Sequence, residues 1–249
     1  MGIIIKSERE VAIMRQAGRI VAIVLQILGR EIKPGMKTRD LDNMASREIE
    51  KLGAIPSFKG YHGFPASVCV SVNDEIVHGI PGERVLREGD IVSLDFGSIY
   101  NGFQGDAAVT VGVGDIGPEA RRLLDATRES LEAGIARAYA GARLGDISAA
   151  VQQSAESKGY SVIREYTGHG IGRQMHEDPQ IPNFGQPGTG PVLKKGMVLA
   201  IEPMVSMGDW HTRIGDDGWT VYTADGSLAA HFENTIAVTD AEPEVLTVA

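Results

Sequence analysis

Two aspartates bracket the stretch Asp95-Phe96-Gly97-Ser98-Ile99-Tyr100-Asn101-Gly102-Phe103-Gln104-Gly105-Asp106, and their spacing puts both on one face of a hairpin. Asn101-Gly102 between apolar, β-branched and aromatic residues favours a two-residue type I′ turn, because both central positions need positive φ. With Tyr100 facing Phe103, Asp106 falls opposite Gly97, and Asp95, two residues from Gly97, projects from the same side of the sheet. Diagonal neighbours of this kind lie about 7–8 Å apart along the backbone, so both carboxylates can reach one point above the sheet. Two carboxylates so placed need a cation. Unpaired, their repulsion would protonate one of them, whereas a divalent metal or an arginine removes that cost.

The densest chemistry lies further on, in Thr167-Gly168-His169-Gly170-Ile171-Gly172-Arg173-Gln174-Met175-His176-Glu177-Asp178-Pro179. Glycines on both sides of His169 are expected to leave its imidazole unobstructed and let the backbone approach a ligand, and His176 follows on the same segment. Tyr61, Phe64 and Trp219 sit in glycine-rich loops away from core periodicity, which fits either an apolar pocket near the cleft or ordinary loop anchoring.

The elements that must carry these residues follow from periodicity. Ser7 and Glu10 form a capping-box pattern ahead of Met14, Ala17, Val21, Val24, Leu25 and Leu28 at helical spacing, closed by Lys33-Pro34-Gly35. Thr38 is expected to cap a second helix with Leu41, Met44, Ala45, Ile49 and Leu52 inward and Gly53 as its stop. Residues 67–72 read as a strand, Asn73-Asp74 as a turn and 76–78 as a short return. Pro118 opens a third helix with Leu124, Leu131, Ile135 and Ala138 inward, and Asp146 is expected to cap a fourth with Ile147, Ala150, Val151 and Ala155, ended by Gly159.

The order of helix, helix and strands thus occurs twice, and the sequence repeats with it. Val85-Leu86-Arg87-Glu88-Gly89-Asp90-Ile91-Val92-Ser93-Leu94-Asp95 matches Val192-Leu193-Lys194-Lys195-Gly196-Met197-Val198-Leu199-Ala200-Ile201-Glu202 at an offset of 107, and Asp40 and Gly53 recur as Asp146 and Gly159 at an offset of 106. Glu202 is therefore read as the counterpart of Asp95, Glu233 as that of Asp106, and His78-Gly79-Ile80 as an echo of His169-Gly170-Ile171. Two such halves, about 1–114 and 115–249, packed about a pseudo-two-fold axis bring four carboxylates into one cleft within a single domain. Asp95, Asp106, His169, Glu202 and Glu233 then offer oxygen donors, one nitrogen and no thiolate, which suits Mn, Co, Fe or Zn. Four anionic carboxylates exceed what one cation needs, so two metals about 3.5–4 Å apart, bridged by carboxylates and a water, are expected.

Composition bounds the alternatives. A net charge of −9 and a pI near 5.2 argue against nucleic acid or an anionic membrane as partner, since both need a basic footprint. The single cysteine, Cys69, excludes an internal disulfide and suits a reducing cytoplasm; among the valines of a strand it reads as a small wall residue. No signal-peptide pattern opens the chain, and no window is expected to approach a membrane span. Gly112-Val113-Gly114-Asp115-Ile116-Gly117 fits a dinucleotide fingerprint in letters only, because Asp115 would face the pyrophosphate and a helix follows where a second parallel strand is required.

With these residues in place the chain resembles the type I methionine aminopeptidases over essentially its whole length. The resemblance implies the duplicated α+β "pita-bread" fold shared with prolidases and creatinases, an antiparallel sheet backed by four helices, and removal of N-terminal methionine from peptides and nascent proteins. It implies Asp95, Asp106, His169, Glu202 and Glu233 as the dinuclear ligands, Glu202 also as general base, His78 beside the scissile amide nitrogen and His176 at the carbonyl oxygen. Tyr61, His62, Phe64, Cys69, Met175 and Trp219 fall where that family surrounds the methionine side chain. Phe64 stands where tyrosine is frequent and Met175 where an aromatic is common. The interval from His169 to Glu202 leaves no room for the type II insertion. A monomer in the cytoplasm, in transient contact with the ribosome, completes the expectation. The rivals are a prolidase-like dipeptidase, a metal-free acid/base hydrolase using Asp95 and Asp106, and a binding module that has lost its chemistry.

Overall fold

Ser7 does begin the first helix: its hydroxyl accepts from Glu10 N at 3.4 Å while Glu10 Oε2 accepts from Ser7 N at 2.9 Å. The computed structural model describes residues 2–249. Helix α1 (Glu8–Glu31) buries Met14, Ala17, Val21, Val24, Leu25 and Leu28, the stripe that helical spacing predicts. By length and composition α1 is apolar enough to cross a membrane, which corrects the expectation that no window would be, but half of that window is packed inside the protein. Its Ile20, Val21, Val24, Leu25 and Leu28 share one core with α2 (Thr38–Lys51) and with strands β1 (Val68–Val72), β2 (Ile91–Tyr100) and β3 (Phe103–Gly112), while Met14 packs with Phe103, Ile171 and Met175. A separate core joins α3 (Pro118–Ile135) and α4 (Leu144–Glu156) to the second set of strands. On α3 the buried face is set by Leu123, Ala126 and Leu131, so Leu124 and Ile135 lie at its margin.

Strands β4 (Thr167–Gly170), β5 (Glu177–Pro182), β6 (Val198–Ile201) and β7 (Glu233–Ala237) join the main antiparallel sheet, in the order β2-β3-β7-β6-β4-β5, with β1 and the short Ile55–Pro56 also on β2 and Glu244–Val245 on β7. The arrangement is the duplicated α+β one that the resemblance implies, its halves meeting where β3 pairs with β7. That seam is short, Glu233 opposite Ala108 and Asn234 opposite Ala107. Thr235 Oγ1 extends it by accepting from Asp106 N at 3.1 Å and donating to Asp106 O at 2.7 Å.

The repeat is visible bond by bond. Gly35 N donates to Leu86 O and Gly141 N to Leu193 O; Gly89 N donates to Val113 O and Gly196 N to Val238 O. The helix caps repeat as well, but with a different chemistry from that expected. Lys37 and Arg143 are the capping residues, and Asp40 and Asp146, three residues on, accept from their backbone N–H groups at 2.9 and 2.8 Å. Thr38 is the first helical residue, and its hydroxyl bonds Gly82 instead.

Sheet register corrects two of the repeat assignments. On β2, Ser93 pairs with Ser71, and its counterpart Ala200 pairs with His169, so the strand equivalent of His169 is Ser71. His78 lies past the return strand (Glu75–Val77) with φ 61° and is no structural echo. The carboxylates differ likewise. Asp95 pairs with Ala108, whereas Glu202 lies one residue past the end of β6, after Ile201, the partner of Asn234, where continuing the register sets it against Glu233. In strict register Glu233 corresponds to Ala108, not Asp106. The two halves thus supply their acids differently, one pair diagonal and the other directly opposed.

Candidate metal centre and substrate cavity

The hairpin that presents Asp95 and Asp106 has the register its turn dictates. Asn101 and Gly102 both have positive φ, 49° and 77°, Tyr100 pairs with Phe103, and Gly97 pairs with Asp106. His169 comes from the centre of β4. A Cβ on Gly168 would lie 2.5 Å from Ala200 O, and one on Gly170 2.2 Å from Asp178 O. These glycines therefore serve close strand packing more than access to the imidazole, which corrects the expectation from their spacing.

All of the residues singled out above line one cavity of about 210 Å³: Asp95, Asp106, His169, Glu202 and Glu233 at its floor, with His78, His176, Tyr61, His62, Phe64, Cys69, Met175 and Trp219 around them. None is left elsewhere. One side-chain ligand atom from each of Asp106, His169 and Glu233 lies within 4.8 Å of the others. His169 Nε2 is 3.5 Å from Glu202 Oε1 and 3.9 Å from Asp106 Oδ2.

The floor fits a metal on its own chemistry. Asp95 Oδ1, Asp106 Oδ1 and Glu233 Oε1 are buried without a hydrogen-bond partner, a costly state for carboxylates that a divalent cation would relieve. Burial pushes Asp95 up to about 7, and burial followed by mutual repulsion raises Asp106, Glu202 and Glu233 well above the usual carboxylate range. Burial pushes His169 down to about 3, so its ring is neutral. Its Nδ1 donates to Gly170 O at 2.9 Å, leaving the Nε2 lone pair facing the carboxylates, the tautomer a metal ligand needs.

The wall is aromatic and apolar. Phe64 packs edge-to-face on Trp219 with ring centres 5.2 Å apart, over buried Ala66 and Cys69. Burial, then the charges of Asp95 and Asp106, raise the Cys69 thiol well above its ordinary value, so it stays protonated and acts as wall. His176 stands at the mouth, its ring 4.3 Å from that of His169, with Nδ1 2.8 Å from the Tyr61 hydroxyl. His78, pushed down to about 4 by burial and then by His176, packs edge-on against Tyr166.

Two residues escaped the sequence reading. Phe58 lines the cavity from a loop with no periodicity to flag it. His231 is buried beside the floor with its Nε2 3.8 Å from Glu202 Oε2 and 4.0 Å from Glu233 Oε2, and both ring nitrogens lack a hydrogen-bond partner. Its position two residues before Glu233 was the available signal. The dinucleotide look-alike is closed to phosphate, because Glu88 Oε1 already accepts from Asp115 N at 2.5 Å.

A duplicated α+β fold around a buried, histidine-containing carboxylate cluster is that of a metallopeptidase, and residues 12–240 match the model of metallopeptidase family M24. The methionine aminopeptidase of Clostridium acetobutylicum is 56% identical over 246 residues, 98% of each chain, and methionine aminopeptidase 1 of Bacillus subtilis is 55% identical over 245 residues, 98% and 99% of the two chains. The crystal structure of methionine aminopeptidase from Thermotoga maritima superposes with a TM-score of 0.98 at 50% identity over the whole of both chains. Prolidase from Pyrococcus furiosus shares the fold, with a TM-score of 0.81 at 23% identity over 99% of this chain and 66% of its own. The chain belongs to family M24, in its methionine aminopeptidase branch.

Proposed function

We propose that this protein is a metal-dependent aminopeptidase that removes the N-terminal methionine from peptides and nascent chains. The observation that carries the reading is one small cavity with a carboxylate and histidine floor, an aromatic wall and histidines at its mouth, in a chain that matches methionine aminopeptidases end to end. Asp95, Asp106, His169, Glu202 and Glu233 would hold two divalent ions drawn from Mn, Co, Fe and Zn. Bound there, such ions would supply Lewis-acid activation of water and positive charge toward the substrate's terminus.

The chain's own groups do the rest. The Glu202 carboxylate takes the proton from the attacking water and returns it to the leaving amine. The Tyr61 hydroxyl lies 2.8 Å from His176 Nδ1; in the tautomer in which it donates there, Nε2 carries the proton that His176 offers to the developing oxyanion. Neutral His78 bonds the scissile amide nitrogen. Tyr61, His62, Phe64, Cys69, Met175 and Trp219 enclose the methionine side chain and keep water from it. The enzyme acts as a single catalytic domain of two halves, about 1–114 and 115–249. We take it to work as a cytoplasmic monomer in transient contact with the ribosome; the acidic balance supports the absence of DNA and membrane partners, and the lone buried cysteine a reducing compartment.

Titrating the metal-free protein with Mn, Co, Fe and Zn while measuring methionine release from Met-Ala-Ser tests the reading. Release with at least one ion and none from Ala-Pro is expected. Failure with every ion, or activity undiminished by chelator, would overturn it.

A further inference from the structure

Beside the cavity lies a buried charged pair with no part in the chemistry above. Lys6 Nζ is 2.7 Å from Glu177 Oε2, and the two side chains are only 3% and 7% exposed. Burying such a pair gains little stability over apolar side chains of the same size. Glu177 directly follows His176. Its second oxygen, Oε1, accepts from Gln174 N at 3.2 Å and so closes a turn around Met175 and His176.

Lys6 is itself held. Its backbone N donates to Gly196 O at 2.8 Å, and its Nζ also bonds Ile4 O at 3.3 Å. The turn packs tightly on the pair: a Cβ on Gly172 would lie 2.5 Å from Glu177 Oε1 and 2.6 Å from Lys6 Cε. On its other side the turn rests on the aspartate hairpin, with Arg173 Cζ 4.2 Å above the Phe103 ring and Gln104 N donating to Gly172 O at 2.8 Å. The segment bearing His176 is therefore clamped between the hairpin and the N-terminal residues. Among the described residues, Lys6 is the one cation bonded to Glu177.

We infer that Lys6 is a positioning residue for His176: through Glu177 it fixes the 172–177 turn, and with it the imidazole at the cavity mouth. The inference rests on the role proposed for His176. A hydrogen-bond donor to a developing oxyanion works only when held in place, and loosening its support lowers turnover more than binding.

The test is a double-mutant cycle between Lys6→Met and His176→Ala in the Mn-loaded enzyme, reading kcat and KM on Met-Ala-Ser together with bound metal and the thermal midpoint. Lys6→Met should lower kcat about tenfold or more with KM changed less than about twofold and metal content intact. Lys6→Arg should recover most of that loss. In the His176→Ala background, Lys6→Met should change kcat by less than about twofold, because residues acting as one unit are non-additive. Equal losses in both backgrounds, or none in either, would overturn the inference. If Lys6→Met does not fold, Glu177→Gln carries the same cycle, since its amide oxygen can still serve Gln174 N while the charge is gone. Undiminished turnover of His176→Ala alone would sink the oxyanion reading first, and any loss in Lys6→Met would then lack a target and overturn the inference too.

Discussion

At the scale of single residues the cavity floor is made of groups that are each unsuited to their surroundings and suited to one another through a cation. His169 is fixed as the Nε2 ligand tautomer by one backbone carbonyl, and three carboxylate oxygens are buried with nothing to accept from. His176 differs in kind, since it stands at the mouth and its one polar partner on the ring is the Tyr61 hydroxyl. His176→Ala should therefore leave metal content unchanged while turnover on Met-Ala-Ser falls by roughly 10²–10³, the cost of one preorganised oxyanion donor. Elemental analysis beside steady-state kinetics checks both halves, and metal lost together with activity would reassign His176 to the floor.

Elements explain what could be read from the sequence and what could not. Asn101-Gly102 fixes a register by sterics alone, so the shared face of Asp95 and Asp106 was legible in the residue spacing itself. Glu202 was legible because the strand before it repeats residue by residue. Glu233 was found but mispaired. A two-residue turn joins β2 to β3, whereas some thirty residues separate β6 from β7, and matching residue types cannot see how that insertion shifts the register. His231 and Phe58 carry no periodicity and declare themselves only through what they touch. The cap of α4 falls three residues before Asp146 because Asp at the third helical position, accepting from the capping residue's N–H, resembles a capping Asp in sequence, and that of α2 falls on Lys37, one residue before Thr38. Asp146 accepts from both Arg143 N and Gly188 N, at 2.8 and 2.7 Å, and these bonds hold its carboxyl below the usual range. A depressed folded-state pKa stabilises above the unfolded value and is lost as pH falls through the folded one. Asp146→Ala should thus cost about 1 kcal/mol near pH 7, a typical cap value, and progressively less toward pH 3. Denaturant unfolding of both proteins at several pH values measures the difference, and a constant difference would exclude the carboxylate as its source.

The whole molecule gathers four acids from two halves around one point, and this makes its stability a function of metal and pH together. In the metal-free protein, burial raises Asp95 to about 7 from an ordinary carboxylate value and lifts Asp106, Glu202 and Glu233 in the same direction. A raised folded-state pKa means that the folded form keeps protons the unfolded chain has released. Its contribution is full below the unfolded pKa and is lost as pH rises through the folded one. Between pH 6 and pH 8 the metal-free protein should therefore lose stability, by about 1.4 kcal/mol per pH unit for each proton that distinguishes the two states. A divalent ion needs the same oxygens deprotonated, so loading must expel those protons and reverse the trend. Thermal unfolding of chelated and Mn-loaded protein at pH 6 and pH 8 should give opposite slopes. Mn binding enthalpies in two buffers of different ionisation enthalpy should differ by the protons released. A metal-free protein that gains stability over this range would show that its four carboxylates are already paired by something other than protons.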